Sequence, residues 1–226
     1  MSDSGERRKS GEDIRLVLIG PPASGKGTQA VLLREAYGVE TISTGAMLRA
    51  EMAAETELGM EAARHLDRGQ LLPDDLMLGV VKRWLGVREG GFLLDGFPRT
   101  RRQAEVFDEV LAEREWELTA AIFLDTPEAI LEDRVTKRMH CESCGAIVRV
   151  GVHVESAGGA CPKCGGDLVK REDDTVAVFR ERMEEYREKT VPVLGYYEET
   201  KKLVRIRGEG GADVVFKQIS DGLAAV

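Results

Sequence analysis

Four cysteines stand as two close pairs, Cys141-x2-Cys144 and Cys161-x2-Cys164, with sixteen residues between the pairs. This is the spacing of a four-cysteine zinc ribbon, in which thiolates close a tetrahedral shell around one ion. Four protein ligands leave no open position, so the expected role is structural rather than catalytic. Gly145, Gly165 and Gly166 follow the second cysteine of each pair, as tight knuckles require. His140 and His153 are alternative ligands, and a pair of redox-active dithiols is the alternative chemistry. A second constellation is Gly20-Pro21-Pro22-Ala23-Ser24-Gly25-Lys26-Gly27-Thr28. Its glycines let the backbone curl so that successive N–H groups face an anion, with the following helix adding its dipole. Lys26 is then placed to meet β- and γ-phosphates, and the Thr28 hydroxyl to serve a phosphate or Mg²⁺. Gly27 departs from the general pattern, which has Ser or Thr directly after the lysine. Arg49, Arg99, Arg134, Arg138, Arg171 and Arg182 are candidate cations for phosphate, because a planar guanidinium stays charged and binds it bidentately. Any one of them taken alone reads as a solvated surface charge.

Elements that would position these groups alternate along the chain. Ile14–Ile19 is a continuous apolar run ending at Gly20, as a buried parallel strand should be. A helix is expected over Lys26–Tyr37, a strand over Val39–Ser43, and helices over 46–55, 58–68 and 74–85, with Thr44 as an N-cap. Gly91–Asp95 and Ala120–Asp125 are further buried strands, each followed by a helix. Asp174–Val191 reads as one long charged helix, and Leu203–Ile206 with a last helix from Ala212 completes the pattern. Strand–helix alternation predicts an α/β fold with a parallel sheet covered by helices on both faces. Trp84 and Trp116 lie on helical stretches as packing residues.

The chain has 226 residues, 42% hydrophobic and 32% charged, with a net charge of −8. That balance is globular rather than disordered. No apolar run approaches the roughly 20 residues needed to cross a bilayer, so no membrane partner is expected. Net acidity argues against a general nucleic-acid binder but leaves room for a nucleotide in a local positive pocket. Residues 1–13 are polar, without the apolar core of a secretory signal, and read as a flexible tail. A cytoplasmic location follows as the expectation, and with it metal rather than disulfide use of the cysteines.

Three segments beyond the glycine-rich loop carry a resemblance: Ile42-Ser43-Thr44-Gly45 with Met47-Leu48-Arg49; Leu93-Leu94-Asp95-Gly96-Phe97-Pro98-Arg99-Thr100 followed by Gln103; and Arg171-Glu172-Asp173-Asp174. Together with Gly25-Lys26-Gly27-Thr28 they resemble the nucleoside monophosphate kinases, and among these the long-form adenylate kinases with a zinc-bearing lid. Order and spacing agree from about Arg15 to the C-terminus. The resemblance implies a P-loop core over 14–43, 74–138 and 171–226, a monophosphate-binding segment over 44–73 and a zinc lid over 139–170. It implies the reaction ATP + AMP ⇌ 2 ADP, assisted by Mg²⁺, in a chain that works as a monomer.

By the same resemblance ATP lies on Gly20, Ala23, Ser24, Gly25, Lys26, Gly27 and Thr28. Arg134, Arg138, Ile147, Val148 and Glu209 complete its site. AMP is held by Thr44, Arg49, Gly96 and Arg99 and by the Gln70-Leu71-Leu72 segment, with Gln103 reading adenine. Arg171 and Arg182 bridge toward the transferred group. Asp95, at a strand C-terminus where ligands of open sheets gather, would hold a Mg²⁺-bound water; a cap on the following turn is its other reading. The segment departs from the family at Ala46, where Asp is usual, at Met139, at Ile147-Val148-Arg149, and in lacking Asn-Pro-Pro. Two competitors remain: an ATP-switched scaffold whose ribbon grips nucleic acid, and a kinase for CMP, UMP or GMP. Against the first, Gly145–Ala160 holds only Arg149 as a cation and no aromatic residue for stacking.

Overall fold

The computed structural model describes residues 14–67, 72–170 and 174–226, so the expected tail, Gln70, Leu71 and Arg171 lie outside the described residues. Five strands, β1 (Arg15–Ile19), β2 (Glu40–Ser43), β3 (Phe92–Asp95), β4 (Ala120–Asp125) and β8 (Leu203–Arg207), form one sheet in the order β2-β3-β1-β4-β8. All neighbouring pairs are parallel. The apolar runs explain this. In a strand, successive side chains point to opposite faces. Val17, Ile19, Leu94, Ala121 and Phe123 therefore enter one core, and Leu16, Leu18, Leu93, Ile122 and Leu124 enter the other. A sheet apolar on both faces must be covered on both.

Helices α4 (Asp74–Gly86), α5 (Arg101–Ala112) and α8 (Val191–Glu199) cover the first face, and α1 (Lys26–Tyr37) and α9 (Ala212–Ala224) the second. Edge-to-face aromatic contacts fill the first core, with Phe92 5.9 Å from Trp84 and Phe97 5.3 Å from Phe107 between ring centroids. Trp84 is buried there, and Trp116 packs beneath the guanidinium groups of Arg15 and Arg114. Among the described residues, no helix is long and apolar enough to cross a membrane.

Two local expectations need correction. Ser43, not Thr44, caps α2 (Thr44–Ala53), its hydroxyl accepting the Ala46 N–H at 3.2 Å. Ser43 keeps extended backbone, as a cap must, whereas Thr44 is already helical and buried. The helix expected to end at Val191 instead continues. It runs as α7 (Val176–Glu185), a π-helical turn (Tyr186–Thr190) and α8. Pro192 has no N–H to donate, and the wider turn directly before it accommodates that gap.

Between α6 (Glu128–Thr136) and α7 lies an insert with its own sheet: β5 (Arg138–Cys141) between β6 (Ile147–Arg149) and β7 (Leu168–Val169), both pairs antiparallel. Its core consists of Met139, Cys141, Val148, Cys161 and Leu168. The segment 44–67 adds α2 and α3 (Glu57–Asp67), which pack on each other beside α4.

Candidate active site and metal centre

The C-terminal ends of β1 and β3 adjoin, with Leu18 in register with Asp95. The loop after β1 turns through Gly25, whose left-handed backbone (φ 101°) starts α1. Lys26 folds back over this loop, its Nζ donating to the Gly20 and Pro21 carbonyls at 2.8 and 3.0 Å. Burial lowers its ammonium to about 8, and Arg99 and Arg138 push the same way against the pull of Asp95. Burial raises the Asp95 carboxyl, opposed by Lys26 and Arg99. A Cβ on Gly27 would meet Asp95 Oδ2 at 3.9 Å, so this carboxyl faces the start of α1. Ser24 is buried with its hydroxyl unpartnered, while Thr28 is exposed. Ala23 is half-buried.

Across from the loop, Lys26, Arg99 and Arg182 line one cleft of about 430 Å³ together with Gly20, Tyr186 and Lys189. Arg134 braces the loop after β1, donating to the Ser24 carbonyl at 3.2 Å and the Gly208 carbonyl at 2.8 Å. Its guanidinium is held below the ordinary value by burial first, then by Arg149, with exposed Glu209 opposing. Arg138 is committed to Asp174, donating from Nε at 2.7 Å and from Nη2 to the other carboxyl oxygen. Asp174 is 1% exposed while the Arg138 side chain keeps 18% of its surface in solvent, so only the carboxylate of this pair is buried.

The opposite wall brings together Thr44, Gly96 and Arg99. Gly96 has φ 83°, and a Cβ there would lie 3.3 Å from Thr44 Oγ1 and 3.5 Å from Arg99 Nη2. Only glycine tolerates both that backbone and that approach. Arg49 reaches back along α2, its Nη1 3.2 Å from where a Cβ on Gly45 would be. Gln103 is 5% exposed. Its Oε1 accepts the Arg99 backbone N–H at 2.8 Å, and its Nε2 donates to Asp74 Oδ1 at 2.7 Å. Leu72 is half-buried.

In the insert, the side chain of Ile147 is exposed, but Val148 packs into the insert's core. Alternation with Ile147 on β6 points the Val148 side chain inward, leaving its backbone as the part that could face a nucleotide. Asp74 and Lys189 reach the site or its supports without having been singled out, whereas Asp174 closes the Arg171-Glu172-Asp173-Asp174 motif. Asp74 opens α4 and so reads from sequence as an ordinary first-turn acid. Lys189 sits within a charged helical run, where no local signal distinguishes it.

The four cysteine sulfurs lie within 4.8 Å of one another, the one such group among the described residues. Cys141 and Cys164 Sγ are 3.4 Å apart, Cys144 and Cys161 Sγ 3.7 Å. Tetrahedral zinc with Zn–S bonds of about 2.3 Å needs sulfurs about 3.8 Å apart, so the set fits zinc. Hydrogen bonding, chiefly from the Cys144 backbone N–H, lowers the Cys141 thiol to about 6. Cys164 accepts the Gly166 N–H, which lowers it, yet Cys144 and Cys141 together drive it up to about 12. Four thiols so close need a cation before all can ionise. Gly145 and Gly165 turn each knuckle at φ 68° and 76°. Neither histidine joins the group: His153 Nδ1 accepts the Arg149 N–H at 2.9 Å, and buried His140 Nδ1 has no partner.

Comparison with known proteins agrees with this arrangement. The family model described as adenylate kinase matches residues 18–202. Adenylate kinase of Thermodesulfovibrio yellowstonii is 45% identical over 208 residues, covering 91% of this chain and 97% of its own. Adenylate kinase of Clostridium tetani is 41% identical over 215 residues, covering 94% of this chain and 100% of its own. Adenylate kinase of Clostridium botulinum (strain Loch Maree / Type A3) is 41% identical over 210 residues, covering 92% and 97%. A match over most of the chain, with a P-loop core and a four-cysteine insert in their expected places, means that the chain belongs to the adenylate kinase family.

Proposed function

We propose that this chain performs its family's reversible transfer, ATP + AMP ⇌ 2 ADP, in the cleft between the loop after β1 and the wall formed by Thr44, Gly96 and Arg99. The observation that carries the reading is the convergence of Lys26, Arg99 and Arg182 on one cleft beside Asp95. Phosphoryl transfer between two polyanions needs charge neutralisation and in-line placement more than it needs a covalent catalyst. Lys26 exchanges its two carbonyl partners for phosphate oxygens of ATP. Arg134 holds the loop's backbone in the shape that presents its N–H groups. Arg49 and Arg99 take the AMP phosphate, and Arg182 with Arg171 spans the transferred group. Mg²⁺ supplies charge neutralisation at the ATP phosphates, and the Asp95 carboxyl is the residue that would hold it, through water.

Residues 44–73 form the monophosphate segment and 139–170 the lid, whose closure excludes water competing for the phosphoryl group. Zinc, held by Cys141, Cys144, Cys161 and Cys164, fixes the lid's shape. One chain carries every one of these groups, so a monomer in the cytoplasm suffices. A coupled assay with ATP and a panel of monophosphates tests the reading. ADP formation with AMP far ahead of CMP, UMP and GMP, without any macromolecular partner, is expected; no ADP from ATP and AMP would overturn it.

A further inference from the structure

Gln103 sits in a hydrogen-bond chain whose members are set by chemistry rather than by shape. The oxygen and nitrogen of an amide are nearly isosteric, so only the partners decide which way the group faces. The Arg99 backbone N–H requires an acceptor and receives Oε1 at 2.8 Å. Asp74 Oδ1 requires a donor and receives Nε2 at 2.7 Å. The other carboxyl oxygen of Asp74 accepts the Thr100 hydroxyl at 2.7 Å, and that hydroxyl accepts the Gln103 backbone N–H at 3.1 Å. Thr100 thus spends its proton on Asp74 and has none to offer the amide. Turning the amide over would set N–H against N–H at Arg99 and oxygen against oxygen at Asp74.

We propose that Asp74 is a positioning residue for base selection: together with the Arg99 backbone N–H it pins the Gln103 amide, so that the monophosphate site accepts a 6-aminopurine and refuses a 6-oxopurine. The proposal rests on the reading above that Gln103 faces the base. With two bonds committed, the amide retains one N–H and one lone pair, a donor and an acceptor in fixed order. The 6-amino edge of adenine offers N6–H as donor and N1 as acceptor. Hypoxanthine offers O6 as acceptor and N1–H as donor, which is the reverse order. A freely turning amide matches either edge, whereas a pinned one matches a single edge. A buried site that pairs its polar groups discriminates most strongly, because the wrong ligand leaves them unpaired.

The test compares kcat/KM for AMP and IMP, at saturating ATP, in the full chain. Asp74→Ala should reduce the AMP:IMP preference about tenfold while KM for ATP stays unchanged. Asp74→Asn, which still offers Gln103 an acceptor, should recover most of the preference. On a Gln103→Ala background, Asp74→Ala should add nothing further. A merely structural role at the start of α4 would lower thermal stability and leave this ratio alone. If Gln103→Ala erodes the preference but Asp74→Ala does not, pinning by Asp74 is wrong and the base-reading role of Gln103 survives. An undiminished preference in Gln103→Ala removes both.

Discussion

Core and lid solve the same problem, holding charged groups in fixed geometry, with opposite means. The core buries two apolar layers, one centred on Phe92, Phe97 and Phe107 and the other on Leu16, Leu18 and Ile122. On that base it can keep Lys26 and Asp95 enclosed, each pushed away from its charged form by burial. The lid has only Met139, Cys141, Val148, Cys161 and Leu168 as a core, two of them metal-ligand candidates. So small an apolar cluster does little to offset the conformational entropy of ordering the segment, and the four clustered cysteines are the groups that could add metal-binding free energy. Hydrophobic packing fixes one region, whereas the other gathers four cysteines suited to coordination.

The sharpest way to break this division is Arg99→Ala. It should lower phosphoryl transfer on the order of 10³-fold while metal content and thermal unfolding of both regions stay as they were. Steady-state kinetics beside metal analysis checks it, and near-normal kcat/KM for both nucleotides would contradict the assignment. The converse experiment strips the metal. Protein purified without added metal should carry about one zinc per chain. A thiol reagent with chelator should release it and expose lid amides to hydrogen exchange before those of β1, β3 and β4. Free thiols or disulfides with no thiolate-bound metal would refute the structural role of the site.

Titration separates the regions more gently. Lys26 has its ammonium lowered from 10.5 to about 8, so kcat/KM for ATP should fall about tenfold per unit as pH rises beyond that value. The sign for stability is opposite. Between pH about 8 and 10.5 the unfolded chain binds the extra proton, so this group's contribution to stability rises with pH across that window. Denaturant unfolding of the free protein from pH 7.5 to 10.5, with Lys26→Met as the reference lacking this slope, measures it. The smallest effect expected is from Val148→Ala, about 1 kcal/mol. It should appear in the lid's opening by hydrogen exchange and leave the core's melting untouched.

Much of the core was legible because its signals are local. Leu16–Ile19, Phe92–Leu94 and Ala120–Leu124 are uninterrupted apolar runs, and the turn after Ile19 is written in adjacent residues. The four cysteines were legible for the same reason. The sheet they organise was not: Leu168 and Val169 form a strand of two residues, too short for any periodicity. Ser43 and Thr44 are equally good caps by residue type, and only the burial of Thr44 decides between them. That the Val148 side chain packs inward, paired across from Met139, was likewise not written in its neighbours. Asp74 lay beyond reach because its two donors, Thr100 and Gln103, are 26 and 29 residues away.

Arg138 and Asp174 meet at the neck of the lid, the carboxylate buried and the guanidinium partly exposed. The chain thus leaves the core and rejoins it at a single knot, with β5 and β7 already side by side just above. Whatever length lies between them is carried as a pendant, and neither α6 nor α7 need shift when it grows or shrinks.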